Sequence, residues 1–234
     1  MAFRKITTPS LKEVFIHEIE NMILSGELKI GDKLPPERQM IETMGVSLSV
    51  ITAGISELEN KGFVEIRPRH GIYVADYIHR GSLETLVSIM RYNNGKLSRR
   101  EVVSMIETRI ANEQLLVRLA IEKAKDEDIK GLERYFDLLE NENNAEKIAE
   151  TVMDFFHELA ILSDNVLQPL MYHAFRTPII GIYIRYMEKN GNQSVCGSAR
   201  EIYDYVVKRD TDGAVKFVDT YLRRVIEGEK AIFQ

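Results

Sequence analysis

Only one short stretch of this chain, residues 63–74, reads as β-structure, and helical patterns flank it on both sides. Phe63-Val64-Glu65-Ile66-Arg67 and Ile72-Tyr73-Val74 are β-prone runs separated by Pro68-Arg69-His70-Gly71, which is the signature of a hairpin. Three helical patterns precede it. Leu11, Val14, Phe15, Ile19, Met22 and Ile23 recur at three and four positions, the spacing of a helix with one buried face, and Gly26 ends the run. Pro35 and Pro36 suit the first turn of a second helix, where a missing N–H costs nothing, and Gly45 closes it. Ser47 is placed to cap a third, which turns Val50, Ile51, Ile55 and Leu58 inward and Leu48, Ser49, Thr52, Ser56 and Glu59 outward. Three helices followed by a hairpin make a winged helix-turn-helix.

Residues 77–81 read as a linker between this domain, 1–76, and the remainder, 82–234. Helical spacing runs through 82–92, 99–124, 126–141, 146–163, 166–188, 199–209 and 212–231, with breaks at Asn93-Asn94-Gly95, Asn143-Asn144, Asp164-Asn165, Gly191 to Gly197 and Asp210 to Gly213. The expected fold is therefore mainly α: a winged helix-turn-helix with a small β-hairpin, then an all-α bundle of about seven helices. There is no internal repeat. No apolar run is long enough to span a membrane and the first ten residues lack a signal-peptide core, so a cytoplasmic location is expected. Cys196 is the only cysteine, which excludes an intramolecular disulfide and a thiolate metal cluster.

Charge bears directly on whether the winged helix meets nucleic acid. Residues 1–76 hold nine Lys/Arg against eleven Asp/Glu, within a chain of net charge −5, so bulk charge gives DNA binding no support. The case rests on placement: Arg38 at the start of the second helix, and Arg67, Arg69 and His70 on the wing. The competing readings are a salt bridge for Arg38 and a solvated hairpin for the wing cations.

The run Gly31-Asp32-Lys33-Leu34-Pro35-Pro36-Glu37-Arg38, then Met44-Gly45-Val46-Ser47, then Leu58-Glu59-Asn60-Lys61-Gly62-Phe63, with Gly71-Ile72-Tyr73-Val74 on the wing, resembles the N-terminal domain of GntR-family transcription regulators. The helical remainder, with Arg109-Ile110-Ala111-Asn112-Glu113 and Phe156-His157-Glu158-Leu159-Ala160 followed by Asn165, looks like the effector-binding domain of the FadR-like subfamily. The resemblance implies a homodimeric regulator that binds a palindromic DNA operator under the control of a small molecule. It departs from the family where Leu48 and Thr52 stand in place of two arginines that usually read bases or phosphates. An altered operator is expected, read by Ser47, Leu48, Ser49 and Thr52, with thymine methyls among the contacts. A degenerate winged helix that docks protein instead of DNA is the alternative.

The helical domain departs as well. Many FadR-like domains hold a divalent metal through an Asp, a His four residues later and two further His residues; in that register this chain has Met153, His157, Ala199 and Tyr221. One donor of four remains, and neither a metal nor a cofactor is expected. Absence of the metal ligands is similar to a subset that binds acyl-CoA, which implies an anionic effector: acyl-CoA or a fatty acid ahead of a small organic acid. Arg109 is the natural cation for a carboxylate, or else pairs with Glu113 at i+4. His157, Asn165, His173, Arg176, Tyr203 and Tyr221 are candidates to complete the lining, whereas Tyr172, Tyr183 and Tyr186 read as packing residues. No Gly-rich phosphate loop, Gly-x-Ser-x-Gly or His-Glu-x-x-His is present, so an enzyme is not expected.

Overall fold

A computed structural model describes residues 9–91 and 99–233. The chain divides into two compact units, Met1–Asn94 and Gly95–Gln234.

The first unit contains α1 (Leu11–Leu24), α2 (Glu37–Met44), α3 (Leu48–Asn60), β1 (Val64–Arg67), β2 (Gly71–Val74), α4 (Tyr77–Arg80) and α5 (Leu83–Arg91). Ser10 caps α1 in a reciprocal box, its backbone N–H donating to the Glu13 carboxylate at 2.7 Å. Gly45 ends α2 at a φ of 66°, a left-handed turn that aims α3 away, and the Ser47 hydroxyl accepts from the Val50 N–H to start α3. Phe15, Ile16, Ile19 and Ile23 of α1 meet Ile51, Ile55 and Leu58 of α3, and Leu34, Met40, Phe63, Val64 and Val74 close the core. Leu11 and Val14, expected on the buried face, are 61% and 52% exposed; the stripe facing α3 takes in Ile16 instead.

β1 and β2 pair antiparallel with Val64 opposite Val74 and Ile66 opposite Ile72. Residues 31–34 run along the other edge of β2, Leu34 N–H donating to Ile72 C=O at 2.9 Å and Val74 N–H to Asp32 C=O at 2.8 Å. That third strip fixes the wing beside α3, since a lone two-stranded hairpin is marginal in water.

The stretch expected as a linker, 77–81, holds the one-turn helix α4, and α5, expected to open the bundle, belongs to the first unit. The cause is a docked face: the Thr85 hydroxyl donates to Lys61 C=O at the end of α3, and Ile89, one turn on, packs against the winged-helix core. The break expected at Asn93-Asn94-Gly95 lies outside the described residues.

The second unit contains, among the described residues, eight helices: α6 (Arg99–Lys123), α7 (Asp126–Gly131), α8 (Glu133–Leu139), α9 (Ala145–Leu162), α10 (Leu167–Ala174), α11 (Arg176–Asn190), α12 (Gln193–Val207) and α13 (Thr211–Ile226). The pattern 126–141 is split at Leu132 and the pattern 166–188 at Phe175. Helix α12 begins earlier than expected and carries Cys196 within it. Long α6 packs against α13, α9 and α12, and α9 in turn packs against α10 and α11, so the centre of the bundle is enclosed by helices from distant parts of the chain. Arg209, at a φ of 56°, ties the end of α6 by donating to the carbonyls of Ile121 and Ala124 and to the Asp126 carboxylate. It satisfies carbonyls that the helix itself leaves unpaired.

Candidate functional site

Two places gather chemistry, one in each unit. In the first, the outward face of α3 presents Leu48, which is 54% exposed, with exposed Ser49, Thr52 and Ser56. Ser47 and Ser49 share a 2.9 Å hydroxyl contact at the helix start. Beside this face lies a groove of about 550 Å³ between α3 and the wing, lined in part by Lys33, Thr52, Ser56, Arg67, Arg69 and His70. The Arg67 guanidinium lies 4.3 Å from the Tyr73 ring centroid and pairs with Glu65, which holds its stem against the wing. Arg69 sits at the wing tip in the left-handed region, φ 67°.

Arg38 projects from the first turn of α2 with its side chain 91% exposed; its 3.2 Å pair with Glu42 is an i,i+4 surface contact of little energy. All eight expected contact residues, Arg38, Ser47, Leu48, Ser49, Thr52, Arg67, Arg69 and His70, are exposed, and the groove joins the last four. Lys33 is a further groove cation that the sequence reading omitted; its position one residue before Leu34-Pro35, in the strip paired with β2, was the available signal. Glu59 Oε1 accepts from Ile66 N–H at 2.9 Å, which ties its carboxylate to the start of the wing.

In the second unit the conspicuous feature is a buried polar cluster. Arg109 on α6 is 6% exposed and Glu113, one turn on, is fully buried. Arg109 Nε and Nη2 both reach the same carboxylate oxygen, Glu113 Oε1, at 2.8 and 2.6 Å, and Nη2 also donates to the Tyr183 hydroxyl of α11 at 2.8 Å. Gln168 on α10 donates through Nε2 to Asn112 Oδ1 at 3.1 Å. Tyr172, one turn after Gln168, and Tyr221 on α13 are buried within electrostatic reach of the pair.

Burial is the largest single influence on Arg109 and opposes its charge, but the Glu113 carboxylate together with Tyr183, Tyr221 and Tyr172 outweighs it and the guanidinium is held firmly protonated. For Glu113, burial pushes the carboxyl up and Arg109 pulls it partly back. Burial also drives the phenols of Tyr172, Tyr183 and Tyr221 upward, so all three are neutral. Four buried polar atoms here have no hydrogen-bond partner: Arg109 Nη1, Glu113 Oε2, Gln168 Oε1 and Tyr172 OH. Each such atom costs about 1–3 kcal/mol when left unpaired, so a cluster of four is a place where a partner is strongly wanted.

The expected lining is only partly assembled. Arg109, Glu113 and Tyr221 come together, but His173 is exposed, because it follows inward-facing Tyr172 by about 100° of helix turn. Arg176 pairs with exposed Asp154 at 2.6 Å, on the outside of the bundle. Asn165 spends its carbonyl on the Leu167 N–H at the start of α10. Tyr203 belongs to a different cluster, with Phe136 and Phe155, where burial and then the Glu133 carboxylate raise its phenol to about 12. His157 is half-buried on α9. Tyr172 and Tyr183, read as packing residues, are instead members of the polar cluster.

The donor set does not fit the metal that the FadR-like pattern implies. Met153, Ala199 and Tyr221 are buried in the bundle at the places where ligands are needed, and Asp154 is turned outward to Arg176. Among the described residues no three His, Cys, Asp or Glu side chains converge. Neutral Tyr221 and alanine are not donors for a divalent ion.

Comparison with known proteins matches both units. Residues 11–74 fit the model of bacterial regulatory proteins of the gntR family, and residues 104–224 fit the FCD domain. The HTH-type transcriptional regulator Mce2R of Mycobacterium tuberculosis is 28% identical over 75% of this chain and 73% of its own. The HTH-type transcriptional repressor NanR of Klebsiella aerogenes is 27% identical over 95% of this chain and 86% of its own. Among solved structures, Lar, which controls expression of the Listeria monocytogenes agr system, shares the fold at a TM-score of 0.56 and 15% identity, covering 94% of this chain and 97% of its own. No single helix among the described residues is long and apolar enough to cross a membrane. A winged helix with an exposed recognition face, followed by an all-helical FCD domain, makes this chain a transcription regulator of the GntR family, in its FadR-like branch, and not an enzyme.

Proposed function

We propose that the chain is a cytoplasmic, homodimeric repressor that binds a palindromic operator and changes its grip when a small carboxylic acid enters the FCD domain. The observation that carries the DNA half is the polar, exposed face of α3 beside a groove edged by Lys33, Arg67, Arg69 and His70. A helix of this kind reads the major groove while cations of the wing hold neighbouring phosphates. The four unpaired atoms around Arg109 support the effector half. They favour a small polar acid over an acyl-CoA or fatty acid, whose chain satisfies none of them.

Arg38→Ala, and the pair Arg67→Ala with Arg69→Ala, are expected to weaken operator binding at unchanged thermal stability. Each lost phosphate contact lowers the slope of log affinity against log salt by about one unit. Filter binding across a salt series checks this, and slopes equal to wild type would return these side chains to the solvated surface. Light scattering is expected to give a dimer at micromolar concentration. Elemental analysis after metal-free dialysis is expected to return well under one equivalent of zinc, nickel or manganese per chain, and a stoichiometric metal would show that the ligand register assigned to His157 is wrong.

A further inference from the structure

The polar cluster around Arg109 is already neutral before any ligand arrives, and that restricts what it accepts. Arg109 carries one positive charge and Glu113, 2.6 Å away and fully buried, cancels it. Tyr172, Tyr183 and Tyr221, which also act on the pair, are uncharged phenols. A simple anion bound to Arg109 Nη1 places two carboxylates on one guanidinium and leaves a net negative charge in the bundle centre, which is costly away from water. The unpaired atoms supply the complementary clue. Arg109 Nη1 is a donor, Glu113 Oε2 and Gln168 Oε1 accept, and the neutral Tyr172 hydroxyl can do either. A cationic donor on one side, with an anionic acceptor, a neutral acceptor and a hydroxyl that can accept on the other, complements a group with a carboxylate at one end and an ammonium at the other.

We infer that the effector of this protein is a small zwitterion, an α-amino acid, whose carboxylate meets Arg109 and whose ammonium meets Glu113, Gln168 and Tyr172. The inference rests on the reading of this cluster as the effector site and names the ligand class for it. A zwitterion keeps the cluster neutral and carries a group of the right kind for each of the four atoms. A 2-hydroxy acid of the same skeleton brings the carboxylate but not the cation, and it leaves the anionic Glu113 Oε2 facing a second negative charge.

The test uses the full-length wild-type protein in thermal melts with each of the common α-amino acids at millimolar concentration. Every stabilising amino acid is then compared with its 2-hydroxy acid and with octanoate. At least one amino acid should raise the midpoint, and its 2-hydroxy counterpart should bind about tenfold more weakly or worse, the cost of one charged hydrogen bond. Glu113→Gln should abolish that preference. Because Glu113→Gln disturbs the Arg109 pair, Tyr172→Phe provides a second variant: its hydroxyl has no protein partner, so the fold keeps its stability while the amino acid binds more weakly. If octanoate or the hydroxy acids bind as tightly as any amino acid, and Tyr172→Phe weakens them, the zwitterion is wrong and the site stands. If a probe binds and neither substitution alters its affinity, the site itself is misplaced. If no amino acid binds, the proposal fails.

Discussion

Replacing Arg109 with methionine is expected to destabilise the FCD domain by about 3–5 kcal/mol, because the change leaves the fully buried Glu113 carboxylate without its counter-ion. The loss is not that of one hydrogen bond. Nε and Nη2 together hold Glu113 Oε1 and the Tyr183 hydroxyl, and the methionine thioether replaces none of those donors. In a unit of this size the melting point should fall by about 10 °C. The deficit should also depend on pH with a definite sign. Burial already raises the Glu113 carboxyl above its ordinary value, and without Arg109 nothing opposes that push. A raised carboxyl contributes stability that is fully present below its unfolded value and lost as pH climbs through its folded value, so the variant should lie closer to wild type at pH 5 than at pH 8. Adding Glu113→Leu should recover most of the loss, since an apolar pair of similar volume replaces an ion pair at little net cost. Calorimetry on the wild type, both single variants and the double variant measures this. If the double variant is no more stable than Arg109→Met, Glu113 is not the source of the penalty.

That buried pair marks the boundary of what was legible in the sequence. Arg109 and Glu113 stand four apart on one helix, so their pairing was one of two readings open at once. Tyr172, Tyr183 and Gln168 carried no such local mark. They reach the pair from α10 and α11, some 55 to 75 residues further along the chain, and only the packing of those helices on α6 and α9 decides that they face it. Tyrosines at helical spacing read as core, and in this bundle the core is where the polar groups are.

The winged helix was legible almost residue by residue because its signals are local: Pro35-Pro36 at a helix start, Gly45 in the left-handed turn, Ser47 as a cap and Pro68 to Gly71 between two β-prone runs. The same kind of signal was missed in the bundle. Pro178 falls at the third residue of α11, where a proline is tolerated, so the long pattern 166–188 had to break just before it. The early start of α12 was not legible, because Gln193 to Ser198 are mostly small and polar and leave no apolar stripe. The docking of α5 on the winged helix depends on Thr85 reaching the end of α3, a contact across more than twenty residues.

Gly54→Val should damage the DNA-binding unit, although Gly54 lies in mid-helix, where glycine is usually a weakness. A Cβ there would stand 2.3 Å from Phe15 Cδ1 and 2.7 Å from Cε1, far inside contact distance. Phe15 is 2% exposed and enclosed by the core that α1 and α3 share, so its ring has nowhere to turn. Replacing glycine by alanine gains about 1 kcal/mol of helix propensity. Overpacking costs about 1–3 kcal/mol, and for valine the added branches push that cost to the upper end while removing most of the propensity gain. The relief is to move α3 away from α1, and that motion carries Leu48, Ser49, Thr52 and Ser56 away from the wing. Operator affinity should therefore fall at temperatures where the domain is still folded, with the salt slope kept because the wing cations are untouched. Pairing Gly54→Ala with Phe15→Leu should restore part of both stability and affinity, and urea titrations with filter binding on the four proteins of that cycle measure the coupling. Independent, additive losses would mean that Phe15 does not set the spacing of the two helices.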